Sequence, residues 1–212
     1  MAQITQDTTS QMNNSTLSPD SSHWWGFAAL PDSLEFPTHK VEYDDGSVFD
    51  DPMTLVCQIN CAQYKREHTE NPNTALLPDD GMLYVFAYLD YFFGDLDADC
   101  GGMHPWDSSL YRVFYSPTCD DLHVHTIVDE DGNDFCTPPL AMQGAQTVLA
   151  EPVSFSDEVR QDYPGQLCLV QIDSLATNGL NFFDCGVLFF MISPEDLKAK
   201  RFEKTSCQLY SL

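Results

Sequence analysis

Two stretches of the chain repeat one pattern of apolar and polar positions. Met53-Thr54-Leu55-Val56-Cys57-Gln58-Ile59-Asn60 is an apolar run with a single amide inside it. Gln166-Leu167-Cys168-Leu169-Val170-Gln171-Ile172-Asp173 places Gln at the matching position and Asp where the first stretch has Asn. A short continuous apolar run of this kind predicts a strand covered on both faces. Each run is followed, after an intervening stretch, by glycine and an apolar-aromatic run: Gly81-Met82-Leu83-Tyr84-Val85-Phe86-Ala87 and Cys185-Gly186-Val187-Leu188-Phe189-Phe190-Met191. The recurrence predicts a duplication, with half-repeats at about 53–90 and 166–196, packed around a pseudo-twofold axis.

The rest of the pattern supplies strands, turns and short helices. Asn60 followed by Gln63 has capping-box spacing and predicts a helix start. Tyr111-Arg112-Val113-Phe114-Tyr115 and Leu122 to Val128 read as strands, the second running into an Asp129-Glu130-Asp131-Gly132-Asn133 turn. Asp157 to Gln161 reads as one helical turn. Ser193-Pro194-Glu195-Asp196 is the clearest helix start: Ser caps, Pro takes the first helical position and two acids face the positive helix end. Lys198, Lys200, Arg201 and Lys204 are expected late in that helix as a basic stripe, before a last strand at Cys207 to Tyr210. Pro31, Pro37 and Asp44-Asp45-Gly46 punctuate residues 23–52, which are expected to be extended and irregular. The fold class is therefore α+β and mostly β, an internally duplicated sheet architecture with a few short helices. Residues 23–212 form a single domain behind a polar tail, 1–22, read as disordered or loosely docked.

The paired strands carry a family resemblance. Leu55-Val56-Cys57-Gln58-Ile59-Asn60 with Gly81-Met82-Leu83-Tyr84-Val85-Phe86, and Leu169-Val170-Gln171-Ile172-Asp173 with Asp184-Cys185-Gly186-Val187-Leu188-Phe189-Phe190, resemble the two halves of the bacterial YwqG-like family, a domain of unknown function. Upstream, Gly26-Phe27-Ala28-Ala29-Leu30-Pro31 and Phe36-Pro37 look like reduced forms of that family's Gly-Gly-x-Pro-x-Leu-Pro and Trp-Pro elements; the second Gly, the internal Pro and the Trp are absent here. The resemblance implies a duplicated, mostly β protein of the bacterial cytoplasm. It implies no activity, and points towards an immunity-type or other partner-binding role.

Charge narrows the function classes. Nine Lys and Arg stand against 33 Asp and Glu, a formal net charge of −24. Such a chain gains no counterion-release free energy on a phosphate backbone, which excludes general nucleic-acid binding. Anionic membrane surfaces repel it for the same reason. The longest apolar run, Val187 to Ile192, falls far short of the roughly 20 residues a spanning helix needs. Met1 to Ser22 contains no Lys or Arg and no apolar core, so no signal peptide is expected. Eight cysteines are too sparse for a disulfide scaffold, and Cys57, Cys168 and Cys185 sit in or beside apolar runs. Reduced thiols and a cytoplasmic location are the expectation.

No catalytic constellation stands above background, and no metal or cofactor is expected. Asp95, Asp97 and Asp99 form the sharpest cluster of hard oxygen ligands, but the glycine and glutamate that an EF-hand loop needs are Cys100 and Trp106 here. A loop of solvated acids is the simpler reading, with His104 or Asp107 as further ligands in the other. His123 and His125 share one face of a strand and could chelate a metal with Cys119 or Cys136, although solvent-facing histidines are the commoner case. Cys57 and Cys61 are the closest cysteine pair, and no C-x-x-C pair occurs. Gln58 and Gln171 recur, and two readings are open. Each ties its strand to neighbouring backbone, or both converge on a ligand in a central cleft lined by Trp24, Trp25 and Trp106. The leading expectation is a non-enzymatic protein that binds a basic protein partner through its acidic surface. The alternative is a small-molecule-binding or metal-dependent enzyme with its site between the half-repeats.

Overall fold

A computed structural model describes residues 3–7, 17–42, 44–89, 102–142, 148–152, 157–173 and 186–211. Strands β1 (Gln3–Asp7), β2 (His23–Trp24), β3 (Ala28–Pro31), β4 (Thr38–Glu42) and β5 (Val48–Pro52) precede β6 (Thr54–Asn60). Helix α1 (Cys61–Glu67) and a 3-10 turn (Pro72–Leu76) lead to β7 (Met82–Ala87), β8 (Tyr111–Ser116), β9 (Leu122–Val128) and β10 (Leu140–Ala141). Then come α2 (Asp157–Asp162), β11 (Leu167–Asp173), β12 (Gly186–Ile192), α3 (Pro194–Lys198), a 3-10 turn (Phe202–Lys204) and β13 (Ser206–Ser211). The mostly β, α+β class is as the pattern implied.

The strands form sheets ordered β1-β9-β3, β10-β2-β6-β7-β8 and β11-β12-β13, with β4 and β5 as a hairpin. The five-stranded sheet is the middle layer, because both of its faces are buried. Val56, Cys57, Ile59, Leu83, Val85 and Val113 point to one side and share a core with Val170, Ile172, Leu188, Phe190 and Leu209 of the β11-β12-β13 sheet. Leu55, Met82, Tyr84 and Phe86 point the other way and pack with Ala28 and Leu30 of β3. The outer face of the β11-β12-β13 sheet carries Cys168, Val187, Phe189 and Met191. Strand alternation thus divides each apolar run between two cores, which is why the sequence shows no polar face.

The two strand pairs share details beyond the sequence pattern. The β6–β7 register shifts between Leu55 and Cys57, and the β11–β12 register shifts between Cys168 and Val170. Each bulge lies at the same distance before its Gln. The bulged residue offers its carbonyl sideways in both cases: Val56 accepts the N–H of Trp25 and Leu169 accepts the N–H of Leu149, each at 3.1 Å. Trp25 and Leu149 both hold the left-handed backbone conformation, with φ of 56° and 51°. A bulge frees one carbonyl from its ladder, and a matched left-handed residue satisfies it.

The helix caps form where the sequence placed them. The Asn60 side chain accepts the N–H of Gln63, and that of Ser193 accepts the N–H of Asp196, both at 3.0 Å. Other expectations need correction. Residues 23–52 are largely strand, because β2 and β3 join larger sheets and the Asp44-Asp45-Gly46 turn closes the β4–β5 hairpin, with Asp45 accepting the N–H of Ser47 at 2.9 Å. The four late cations do not line one helix. α3 ends at Lys198, Lys200 turns left-handed at φ 58°, and the chain bends so that Phe202 is buried against the Tyr115 ring, 5.6 Å between centroids. Arg201 folds back on Asp196 at 2.7 Å. Within residues 1–22, Gln3–Asp7 pairs with β9 and Ser22 is buried.

Candidate functional site

Gln58 and Gln171 sit at matching places but face opposite ways. Gln58 pairs across the strands with Tyr84, on the β3 side of the middle sheet. Gln171 pairs with Phe189, on the outer side of the other sheet. The shared core lies between them, so the fold does not bring the two amides together. Each is buried and bonds to backbone instead. Gln58 accepts the N–H of Ala29 at 3.0 Å and donates to the carbonyls of Pro19 at 2.7 Å and Ser21 at 2.9 Å. Gln171 donates to the carbonyl of Glu151 at 3.1 Å. Trp24, Trp25 and Trp106 are all buried in the shared core, and Trp106 donates its indole N–H to the carbonyl of Gly102 at 2.8 Å.

A buried histidine went unsignalled in the sequence. His23 is fully buried, its ring 4.6 Å from that of Phe27, and its Nδ1–H donates to the carbonyl of Trp25 at 2.8 Å. Nε2 has no hydrogen-bond partner among the described residues. Burial pulls the ring down to about 4, against the two backbone bonds that raise it, so it is neutral at neutral pH. Only its position beside Trp24 and Trp25 hinted at this, and a histidine next to a polar segment ordinarily reads as exposed.

The candidate metal ligands are dispersed. His123 Nε2 lies 3.2 Å from an Asp32 carboxylate oxygen. His125 pairs across the strands with Ala28 and lies near the Phe36 ring; burial first, and the charge of His123 second, hold it below the ordinary histidine value. Cys136 accepts the N–H of Ile127 at 3.1 Å, and its thiol is pushed up to about 12 chiefly by burial. His104 donates to the carbonyl of Pro105 at 2.8 Å, and Asp107 accepts the N–H of Ser109 at 2.8 Å. Among the described residues no group of three or more His, Cys, Asp or Glu could hold a metal ion. The Asp95, Asp97 and Asp99 cluster lies outside the described residues.

Open clefts among the described residues include the following pair. One of about 350 Å³ runs between β8 and the Phe202–Lys204 turn, lined by Asp107, Ser109, Arg112, Val113, Phe202 and Glu203 among others. The other, about 340 Å³, sits at the start of α1, lined by Asp20, Ser21, Asn60, Ala62, Gln63 and Arg66. The Cys119 thiol is raised by burial first and then, against a backbone bond with Gly81 that lowers it, by the charges of Asp20, Asp120 and Asp80.

Comparison with known proteins gives a family and no named relative. A family model described as a domain of unknown function (DUF1963) matches residues 22–166 and 145–210. No curated protein matches the chain.

Proposed function

Because the chain belongs to the DUF1963 family, a domain of unknown function, its role must be read from its surface, and we propose a non-enzymatic protein that binds a basic protein partner through acidic faces. The supporting observation is how the few cations are used. Lys40 pairs with Asp50 at 3.0 Å, Lys65 with Asp79 at 2.7 Å, Arg66 with Glu67 at 3.8 Å and Arg201 with Asp196 at 2.7 Å. Among the described residues these pairs, with the second contact of Arg201 to Glu195 at 3.6 Å, engage four cations and five acids, and with a formal net charge of −24 the outward field stays strongly negative. Such a field steers a basic partner to the surface and discriminates against acidic ones. Asp20, Asp80 and Asp120 all act on Cys119, and Asp20 lines the cleft at the start of α1 together with Arg66, which makes these three acids the ones to test. The YwqG-like motifs support a bacterial, cytoplasmic, immunity-type setting for this binding.

The test is capture of partners at low and high ionic strength by the wild-type chain and by Asp20→Asn/Asp80→Asn/Asp120→Asn. Basic proteins retained at low salt, released at high salt and lost by the folded triple variant support the reading. Retention of mainly acidic or neutral proteins, or capture unchanged by the triple variant, counts against it.

A further inference from the structure

We propose that the edge of β9 held by β1 is a seat for an extended, basic segment of a partner protein, which displaces β1 and adds to the sheet as a strand. The proposal rests on the partner-binding reading above and names the part of the partner that is bound.

β9 lies between β1 and β3 and so has two occupied edges. On one, β3 pairs with Leu122 to His125. The chain beyond the turn continues that side, Asp134 bridging to Val128 and the N–H of Phe135 donating to the carbonyl of Ile127 at 2.7 Å. The other edge, Val124 to Val128, pairs with β1, Gln3 opposite Val128 and Asp7 opposite Val124. A strand edge takes an extended chain of almost any sequence, because backbone groups make the bonds. The seated β1 shows that this edge accepts an antiparallel strand.

β1 holds its place by little beyond that ladder. Gln3, Thr5 and Gln6 are exposed, Ile4 is half-buried, and none of them belongs to a hydrophobic core. A side-chain hydrogen bond joins the Thr5 and Thr126 hydroxyls at 3.2 Å. β1 also approaches β5, with which it shares no ladder. It lies outside residues 22–166 and 145–210, which match the family, and so is an addition to the matched domain. A strand held by its backbone yields to one that forms the same ladder and adds side-chain contacts.

Charge selects the strand that replaces it. Exposed acids bracket the edge, Asp120 and Asp121 before β9 and Glu130 and Asp131 after it. Gln3-Ile4-Thr5-Gln6-Asp7 contains no Lys or Arg and ends on an acid at the end of the edge that follows Asp120 and Asp121. Opposite charges across a strand pair stabilise it and like charges weaken it. An antiparallel segment directs its N-terminal end towards Glu130 and Asp131 and its C-terminal end towards Asp120 and Asp121. Lys or Arg at both ends of an extended stretch the length of β1 is therefore the complementary chemistry. A body of net charge −24 draws such a segment in, and the ladder then fixes its register.

The test uses the full chain and three synthetic peptides. The first is Lys-Lys-Gln-Ile-Thr-Gln-Lys-Lys, the second has Glu in place of every Lys, and the third, Lys-Lys-Gln-Pro-Thr-Pro-Lys-Lys, keeps the charge but loses ladder donors. Fluorescence anisotropy gives affinity and amide NMR gives the place. The first peptide should bind saturably, with shifts centred on Val124 to Val128 and on β1, about tenfold or more tighter than either control and more weakly at high salt. Ile4→Pro/Thr5→Pro removes a ladder donor from β1 and should tighten that binding by about tenfold. Thr5→Cys/Thr126→Cys, oxidised to pin β1 to β9, should lose it and regain it on reduction. Asp121→Asn/Asp131→Asn should weaken it by about tenfold at low salt with unchanged thermal unfolding. No saturable binding, shifts centred elsewhere, the proline peptide binding as well as the first, or a pinned chain that binds like wild type would each overturn the seat. Basic proteins still captured at low salt after such a result would leave the acidic-surface reading standing without it, whereas loss of that capture as well would remove the reading itself.

Discussion

Gln58 and Ala29 form a buried hydrogen-bonded unit: the amide oxygen of one accepts the backbone N–H of the other at 3.0 Å, and both residues are fully buried. Tyr84, the cross-strand neighbour of Gln58, donates its hydroxyl to the carbonyl of the same Ala29 at 2.6 Å. Two side chains of the middle sheet thus satisfy both backbone groups of one β3 residue, and this is how the layers are joined. Gln58→Leu would strand the Ala29 N–H and the carbonyls of Pro19 and Ser21, with an expected loss of about 2–4 kcal/mol in urea unfolding. Gln58→Glu should cost more, since a carboxylate cannot donate to those carbonyls and carries a charge into the core.

His23 makes stability depend on pH. Its folded value, about 4, lies below the ordinary 6.5, so the unfolded chain binds the proton first. Its contribution is therefore complete above about pH 6.5, declines as the pH falls through that value, and levels off below about pH 4. The span corresponds to something on the order of 3 kcal/mol. His23→Asn can keep the bond to the Trp25 carbonyl and should flatten the stability profile between those limits. An unchanged slope in denaturant titrations across that range would mean another group is responsible. Paired carboxylates such as Asp79 and Asp196, held below the usual range by their Lys65, Ser193 and Arg201 partners, lose their share only at lower pH.

Gly81 is required by its surroundings. At φ +88° an added Cβ would lie 2.2 Å from the carbonyl oxygen of Ser116 and 2.8 Å from the Tyr115 hydroxyl. Gly132, at φ +81°, faces open space. Gly81→Ala is expected to cost about 3 kcal/mol or more, from backbone strain plus overpacking, against about 1 kcal/mol for Gly132→Ala. Thermal unfolding of the two variants separates collision from conformation.

Four buried thiols should be inert in the folded protein. Cys57, Cys61, Cys168 and Cys207 are buried, and burial raises the first three, Cys61 to about 12. Thiolate is the reactive form, so alkylation at neutral pH should modify these four only after unfolding. Peptide mapping by mass spectrometry after a short native pulse checks this; rapid native labelling of Cys57 or Cys168 would contradict the packing.

Much of the fold was legible because local rules and burial agreed. Asn60 and Ser193 announced their helices since a cap needs only neighbours in sequence. The runs at Leu55 and Leu169 announced buried strands since both faces of each strand meet a core. The stretch from His23 to Pro52 was not legible as strand: β2 has two residues and β3 four, and they exist only because β6 and β9 offer partners far along the chain. The late cations misled because Lys198 to Lys204 looks helical by spacing, while burial of Phe202 forces the bend. The cleft at Arg112 gave no signal, since its walls come from residues that only the fold brings together.

The repeated strands, the place of an amide within each, the caps that start α1 and α3, and an overwhelming negative charge are written along the chain. These follow from composition and from contacts a few residues long. The direction in which the amides point is set by long-range packing. A bulge before each Gln, closed by the left-handed Trp25 or Leu149, sets the register after it, and in a strand register alone chooses the face. That choice sends Gln58 and Gln171 away from one another and fills the space between the sheets with apolar side chains.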